Sequence, residues 1–333
     1  MKRRDFLKIG SAGVAGSALA GAGLISWTPR AEAATINKTF YITDGTPTMI
    51  TGETVYLRGF SSSASSLNVP GESMVVQEGD TVTIKIVNTL STPHSFVIDG
   101  MVDSGTINGG QTKTVTFTAQ NPGSYVYHDK LNAPYNTLIG LHGGFAVMPY
   151  NKPNQLYSGS PTFVQQYFWI FNDIDPIWTK AIQAGNTPST PYTPRYFTLN
   201  GLGGRPPGAP DSGNPNVDAM VDPRSALRGS IGDRALVRAF NIGLADQSVH
   251  VHANHLEWLT ENGQQRADIW NKDCIYIEGN MGAFDAIYPF EVPPDSYPPV
   301  QTSIYPMHCH TEMSQVADGG YYMFGCITDI YFE

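Results

Sequence analysis

The sequence predicts an all-β protein of two domains, each a sandwich or barrel. Three observations carry this. Short runs alternate polar and apolar residues, as in Thr81-Val-Thr-Ile-Lys-Ile-Val, Thr112-Lys-Thr-Val-Thr-Phe-Thr and Ala235-Leu-Val-Arg-Ala-Phe. Such alternation turns every second side chain toward one face of a strand. The chain is rich in Gly, Pro, Thr, Val and Tyr, and turn signals separate the runs, the pattern of many short strands. The chain also repeats itself: Gly79-Asp80-Thr-Val-Thr-Ile-Lys-Ile-Val-Asn88 matches Gly232-Asp233-Arg-Ala-Leu-Val-Arg-Ala-Phe-Asn241 in the same spacing.

Residues 1–33 read as a removable export signal. Arg3-Arg4 precedes Phe6-Leu7-Lys8, an apolar Gly/Ala-rich run follows, and Ala31-Glu-Ala33 supplies a small-residue cleavage site. A basic start, an apolar middle and such a site define a secretory signal, here of twin-arginine type. The expected location is periplasmic or extracellular. The remaining 300 residues suit two ordinary domains, with boundaries expected at 34–152 and 166–333 and a linker at 153–165. Only Pro176-Ile-Trp-Thr-Lys-Ala-Ile-Gln-Ala reads as helical. Thr187–Pro194, Arg205–Pro215 and Pro293–Pro299 read as Pro-rich loops. No second stretch is apolar enough to span a membrane.

The whole chain carries a net charge of −9. Residues 1–33 hold Lys2, Arg3, Arg4, Lys8 and Arg30 against Asp5 and Glu32, a net of +3, which leaves the remainder near −12. That balance argues against nucleic acid or an anionic membrane surface as a partner. Cys274, Cys309 and Cys326 are the cysteines. An odd count leaves one thiol over. Cys309 is the natural odd one out, and Cys274 with Cys326 is a candidate bridge.

Eight histidines occur, and four of them form two His-x-His pairs: His250 with His252, and His308 with His310. On a strand both rings of a pair share a face, and Cys309 projects from the other. Side by side, the two strands bring four imidazoles together. Neutral imidazole suits copper, zinc, iron or nickel. Continuing the repeat, His94 falls on Gln247, Val97 on His250 and Asp99 on His252. Tyr125-Val-Tyr-His128-Asp129-Lys130 then matches Tyr305-Pro-Met-His308-Cys309-His310.

These residues resemble the multicopper oxidases and the copper nitrite reductases, which are built from cupredoxin-like Greek-key domains. His308-Cys-His310 is similar to the family's H-C-H, in which the Cys ligates a blue copper and the two His ligate a neighbouring cluster. Ser248-Val-His-Val-His-Ala-Asn-His is similar to its H-P-x-H-x-H-G-H, with one additional residue before the last His. Tyr196-Phe-Thr-Leu-Asn-Gly and Lys272-Asp-Cys-Ile-Tyr-Ile also look like its recurring strands. The resemblance covers nearly all of the chain after the signal. It implies copper, an oxidoreductase activity, a small-molecule oxidant or electron donor, a redox protein partner and a homotrimer.

The departures are specific. A blue-copper site takes two His and a Cys, usually with a weak axial Met. In the second domain those His positions are Gln247 and Ser314, and the axial position is Gly319. In the first domain His94 occupies the first His position and Asp129 sits where the Cys belongs. The full cluster takes eight His. Here the second domain keeps its four, and the first keeps His128, with Asp99 at a His position and Val97 and Lys130 at others. The resemblance thus implies His250, His252, His308, His310, His128, Cys309 and His94 as metal residues, the last two at blue-copper positions. Asp99 and Asp129 are candidates for acid–base or ligand roles. Met313 and Met323 are alternative soft donors, and core filling is the other reading of both. His142, next to the family's axial position, is left open between ligation and a structural role, and His255 is left as a supporting residue. The alternative to an oxidoreductase is a copper-binding or structural scaffold that has lost oxidase chemistry.

Overall fold

The computed structural model describes residues 24–25, 27, 30–152, 154–204, 222–294, 303–322 and 324–333. Most of the expected signal, the Arg205–Pro215 loop, Met323 and all but the start of the Pro293–Pro299 loop lie outside them. Among the described residues no helix is long and apolar enough to cross a membrane.

Two β-sandwiches follow one another along the chain. The first packs a sheet in the order Leu57–Ser61, Thr35–Gly45, Thr81–Asn88, Thr112–Thr118 on a second sheet. That second sheet runs Gly71–Gln77, His142–Met148, Gly123–His128, Val97–Ile98, Val102–Asp103. Phe40, Phe60, Phe96, Tyr127 and Phe145 fill the space between them. The second sandwich repeats the plan. One sheet holds Gln165–Ile174, Arg234–Asn241, Gly282–Pro289, Leu256–Glu261 and Gln264–Lys272. The other runs Leu227–Gly229, Ile327–Phe332, Ser303–Cys309, Gln247–Val251, Cys274–Ile277. Trp169, Phe284, Tyr288, Phe290 and Met307 lie in its core.

The sequence repeat is a repeat of turn chemistry. Gly79 and Gly232 take φ of 91° and 94°, a region that costs glycine nothing. Asp80 accepts the Gln77 amide at 2.7 Å and Asp233 accepts the Ser230 amide at 2.9 Å. At the far end of each strand Asn88 donates to the Thr92 carbonyl, and Asn241 to the Ala245 carbonyl, both at 2.8 Å. Each Asn side chain thereby fixes the loop that leads to the site strands.

Burial along the two repeat strands differs for a reason. Thr81–Asn88 alternates, with Val82, Ile84, Ile86 and Asn88 buried. Arg234–Asn241 is buried on both faces after its first residue, because its outer face meets the first domain. Phe168, Ile170, Phe240 and Ile242 pack there against Val126 and Ala146. Arg238 is fully buried at that seam. It donates to Gln166 Oε1 at 3.0 Å and to Ser124 Oγ at 2.6 Å, and lies 3.9 Å from Asp285. Burial lowers its pKa to about 10 and raises that of Asp285.

The expected helix forms over Pro176–Gln183. Asp175 caps it, accepting from the Ile177 and Trp178 amides at 2.8 and 3.2 Å, and proline occupies the first turn. Around the expected linker the chain is packed down, with Leu156 and Phe163 buried against Met148, Leu236 and Ile287. Leu24–Ile25, inside the expected signal, pairs antiparallel with Tyr167 and Gln166, so part of that segment is an edge strand here.

Candidate metal centre

The Gln247–Val251 and Ser303–Cys309 strands lie antiparallel, with His250 directly opposite His308. His252 and His310 each follow one residue beyond the end of their strand. Alternation explains the rest. Val249 and Val251 are buried in the core, while His250 turns to the outer face. Four imidazoles meet there. Ring centroids are 4.6 Å apart for His250 and His252, 5.3 Å for His250 and His308, 4.4 Å for His250 and His310, and 5.1 Å for His308 and His310. One ring nitrogen from each of His250, His308 and His310 falls within 4.8 Å of the others. His252 Nε2 lies 3.2 Å from His308 Nε2.

The chemistry of these rings fits a cation. His308 Nδ1 donates to the Cys309 carbonyl at 3.3 Å, which leaves the Nε2 lone pair pointing at His252. His250 Nδ1 is buried without a hydrogen-bond partner, 3.8 Å from Asp273. Burial lowers the pKa of His250, and the adjoining His252, His310 and His308 lower it further. Burial also lowers that of His308. Both rings therefore favour the neutral form that ligates a metal.

The first-domain residues are placed elsewhere. The metal expectation for His94 is corrected by its bonding. The ring is fully buried, Nδ1 meets Asp129 Oδ2 at 2.7 Å and Nε2 meets Thr92 Oγ1 at 2.9 Å. A carboxylate only accepts, so Nδ1 carries the proton and Nε2 accepts from Thr92. Asp129 is equally occupied, which corrects its expected acid–base role. It accepts from the Ser95 amide and hydroxyl at 2.9 and 2.6 Å, from the Leu131 amide at 2.9 Å and from Asn136 Nδ2 at 2.9 Å. Asn136 is the residue that sequence reasoning missed. Its signal was position, in the short helix Tyr135–Leu138 just after Asp129.

His128 Nε2 lies 3.2 Å from the exposed Asp99. Neither joins the group formed by His250, His308 and His310. His142 faces His128 across the strand pair, its Nδ1 donating to the Thr137 carbonyl at 2.8 Å and its buried Nε2 unpartnered. Burial lowers its pKa to about 4. His255 is exposed. Lys130 pairs with Asp103.

Cys309 turns away from the histidines into the core, fully buried. Gln247 and Ser314 are fully buried as well. Gln247 Oε1 has no hydrogen-bond partner, and Ser314 Oγ donates to the Thr311 carbonyl at 2.7 Å. Among the described residues Cys309 joins no group of possible metal ligands, and Gln247 and Ser314 stand where the two His belong, so blue copper of the usual His₂Cys kind does not fit there. Met313 is exposed. All three cysteines are free. The considered Cys274–Cys326 bridge is corrected: the Cys326 carbonyl accepts the Cys309 amide at 3.2 Å, which sets Cys326 beside Cys309, and burial raises its pKa well above the ordinary thiol value. Cys274 lies opposite His250, near Ser248.

Comparison with known proteins agrees with this architecture. Residues 68–139 match the family described as cupredoxin-like domain. A copper-containing nitrite reductase of Alcaligenes xylosoxydans xylosoxydans is 24% identical over 265 residues, 71% of this chain and 74% of that protein. The blue copper oxidase of Nitrosomonas europaea superposes with a TM-score of 0.71 at 19% identity, covering 89% of this chain and 85% of that one. The copper nitrite reductase of the same organism superposes at 0.61 with 20% identity, covering 90% and 94%. The chain has the two-domain cupredoxin fold. The proteins it is similar to include multicopper oxidases and copper nitrite reductases.

Proposed function

We propose that the protein is an exported copper oxidoreductase whose metal sits on the four-histidine face of the second domain. The observation that carries this is the convergence of His250, His252, His308 and His310. Copper held there would supply one-electron redox chemistry and a coordination position for a small oxidant such as dioxygen, peroxide or nitrite. His308 is oriented by the Cys309 carbonyl, and His250 by its strand position opposite His308. Burial and the neighbouring imidazoles lower the pKa of both rings, which favours the neutral form. His128 and Asp99 form a second, separate pair on the first domain. A neighbouring subunit placing that pair against the four histidines would complete the site, the arrangement expected of a trimer. The twin-arginine pattern at Arg3-Arg4 and the Ala31-Glu-Ala33 site support a periplasmic or extracellular location.

A second reading has its own support. Gln247 and Ser314 stand at ligand positions, and His94 and Asp129 bond each other. A copper carrier or scaffold without turnover has the same face and the same losses. Reconstitution with copper followed by assays with phenols, cuprous ion and nitrite separates the two. Turnover of any one supports the oxidoreductase; bound copper with no turnover supports the carrier.

A further inference from the structure

The strand that carries His308 and His310 also carries a thiol that the metal reading leaves unused. Cys309 stands one residue from each of those rings, on the opposite face. Its cross-strand neighbour is Cys326. His308 pairs with Ile327 in the antiparallel ladder, and the Cys309 amide donates to the Cys326 carbonyl at 3.2 Å. Both side chains are fully buried, and the adjoining Cys309 thiol acts with burial to raise the pKa of Cys326. Directly opposed partners in such a ladder have Cα atoms about 4.5–5.5 Å apart. A disulfide spans roughly 4.4–6.8 Å, so the bond closes with little backbone movement. The surroundings are apolar, Val249, Met307 and Ile330 among them. A neutral dithiol or a neutral disulfide suits that setting, whereas a buried thiolate does not.

We propose that Cys309 and Cys326 are a buried two-electron store serving the histidine face. The inference rests on the copper reading above. The two thiols give up two electrons to two equivalents of copper(II) delivered in turn to the histidines. Two S–H bonds break, one S–S bond forms, two protons leave, and two equivalents of copper(I) result. Electrons leave through Cys309 because it is covalently flanked by both His308 and His310. Soluble oxidants have no direct access to either sulfur, since both are fully buried. The store stands where the sequence lacks the second and third ligands of a blue copper, at Gln247 and Ser314.

Thiol counting on the full chain tests this. The protein is fully reduced, freed of metal, and treated without oxygen with two equivalents of copper(II) or of zinc(II). Denatured samples should show free thiols falling from three to one per chain with copper and staying at three with zinc. A cuprous chelator should capture two copper(I) per chain, and peptide mapping should find Cys309 joined to Cys326. Diamide acting on metal-free protein should be slower than copper by about tenfold or more, as burial of both thiols requires. Cys326→Ser should bind the same copper and keep both remaining thiols, while Cys274→Ser should lose both of its own. Three surviving thiols with copper bound, a bridge that includes Cys274, or equal loss with zinc would overturn the proposal and leave the metal reading standing. Failure to bind copper at all would overturn the metal reading first, and metal analysis distinguishes the two.

Discussion

The two domains start from the same loop and reach opposite ends. Asn88 and Asn241 hold corresponding connections through the same side-chain bond. After the first, the polar groups satisfy one another: His94, Asp129, Asn136, Ser95 and Thr92 form one closed, buried network. After the second, His250, His252, His308 and His310 face each other: His308 Nδ1 is held by the Cys309 carbonyl, and His250 Nδ1 is buried without a hydrogen-bond partner, 3.8 Å from Asp273. The comparison teaches that histidine content does not make a site. A ring whose two nitrogens already have partners is structure. A ring held by one nitrogen and aimed at other rings still has a lone pair to offer a cation.

Stability should break the comparison most visibly in the first domain. Asp129→Ala leaves His94 and four further donors without their acceptor. The expected loss is about 3–5 kcal/mol, the scale of breaking a buried pair, read by denaturant unfolding. Metal affinity should not change. A loss under 1 kcal/mol would mean the network relaxes or admits water.

Acid should act next, again through the first domain. The pKa of His142 falls to about 4 in the fold against 6.5 ordinarily. The unfolded chain then takes up the proton first, so stability is full above pH 6.5 and drains as pH falls toward 4. Two and a half units correspond to about 3 kcal/mol. His142→Gln, which does not titrate, should flatten that limb in metal-free protein. An unchanged limb would assign the loss to other groups.

The second domain should respond through metal, not folding. His308→Ala should weaken metal binding more than about 100-fold, beyond the 10–100-fold typical of supporting partners, with little change in unfolding midpoint. Because the pKa values of His250 and His308 are lowered, metal should persist below pH 6.5 and be released only as the solution becomes more acidic. Equilibrium dialysis across pH 7.5 to 5 reads the release. The smallest effect belongs to His94→Gln, which should leave metal affinity within experimental error while costing stability.

Much of this was legible in the sequence. Alternation in Thr81–Asn88, the helical run from Pro176, and the two His-x-His pairs each state a local rule that the fold obeys. The rest depends on partners distant in sequence. Nothing local shows that Asp129 binds His94 from 35 residues away, or that Cys326 meets Cys309 and not Cys274. Arg234–Asn241 is buried on both faces because a second domain covers it, which period-two reasoning cannot foresee. Asn136 carried no motif and became visible only once the loop had folded onto Asp129.

The most direct test of the central claim is copper content with electron paramagnetic resonance, on the reconstituted chain and on His250→Ala/His308→Ala. The account predicts stoichiometric copper with nitrogen coupling and no intense thiolate-to-copper absorption, all lost in the double variant. Copper retained by that variant, or a strong blue band in the unaltered protein, would contradict it and move the metal to another site.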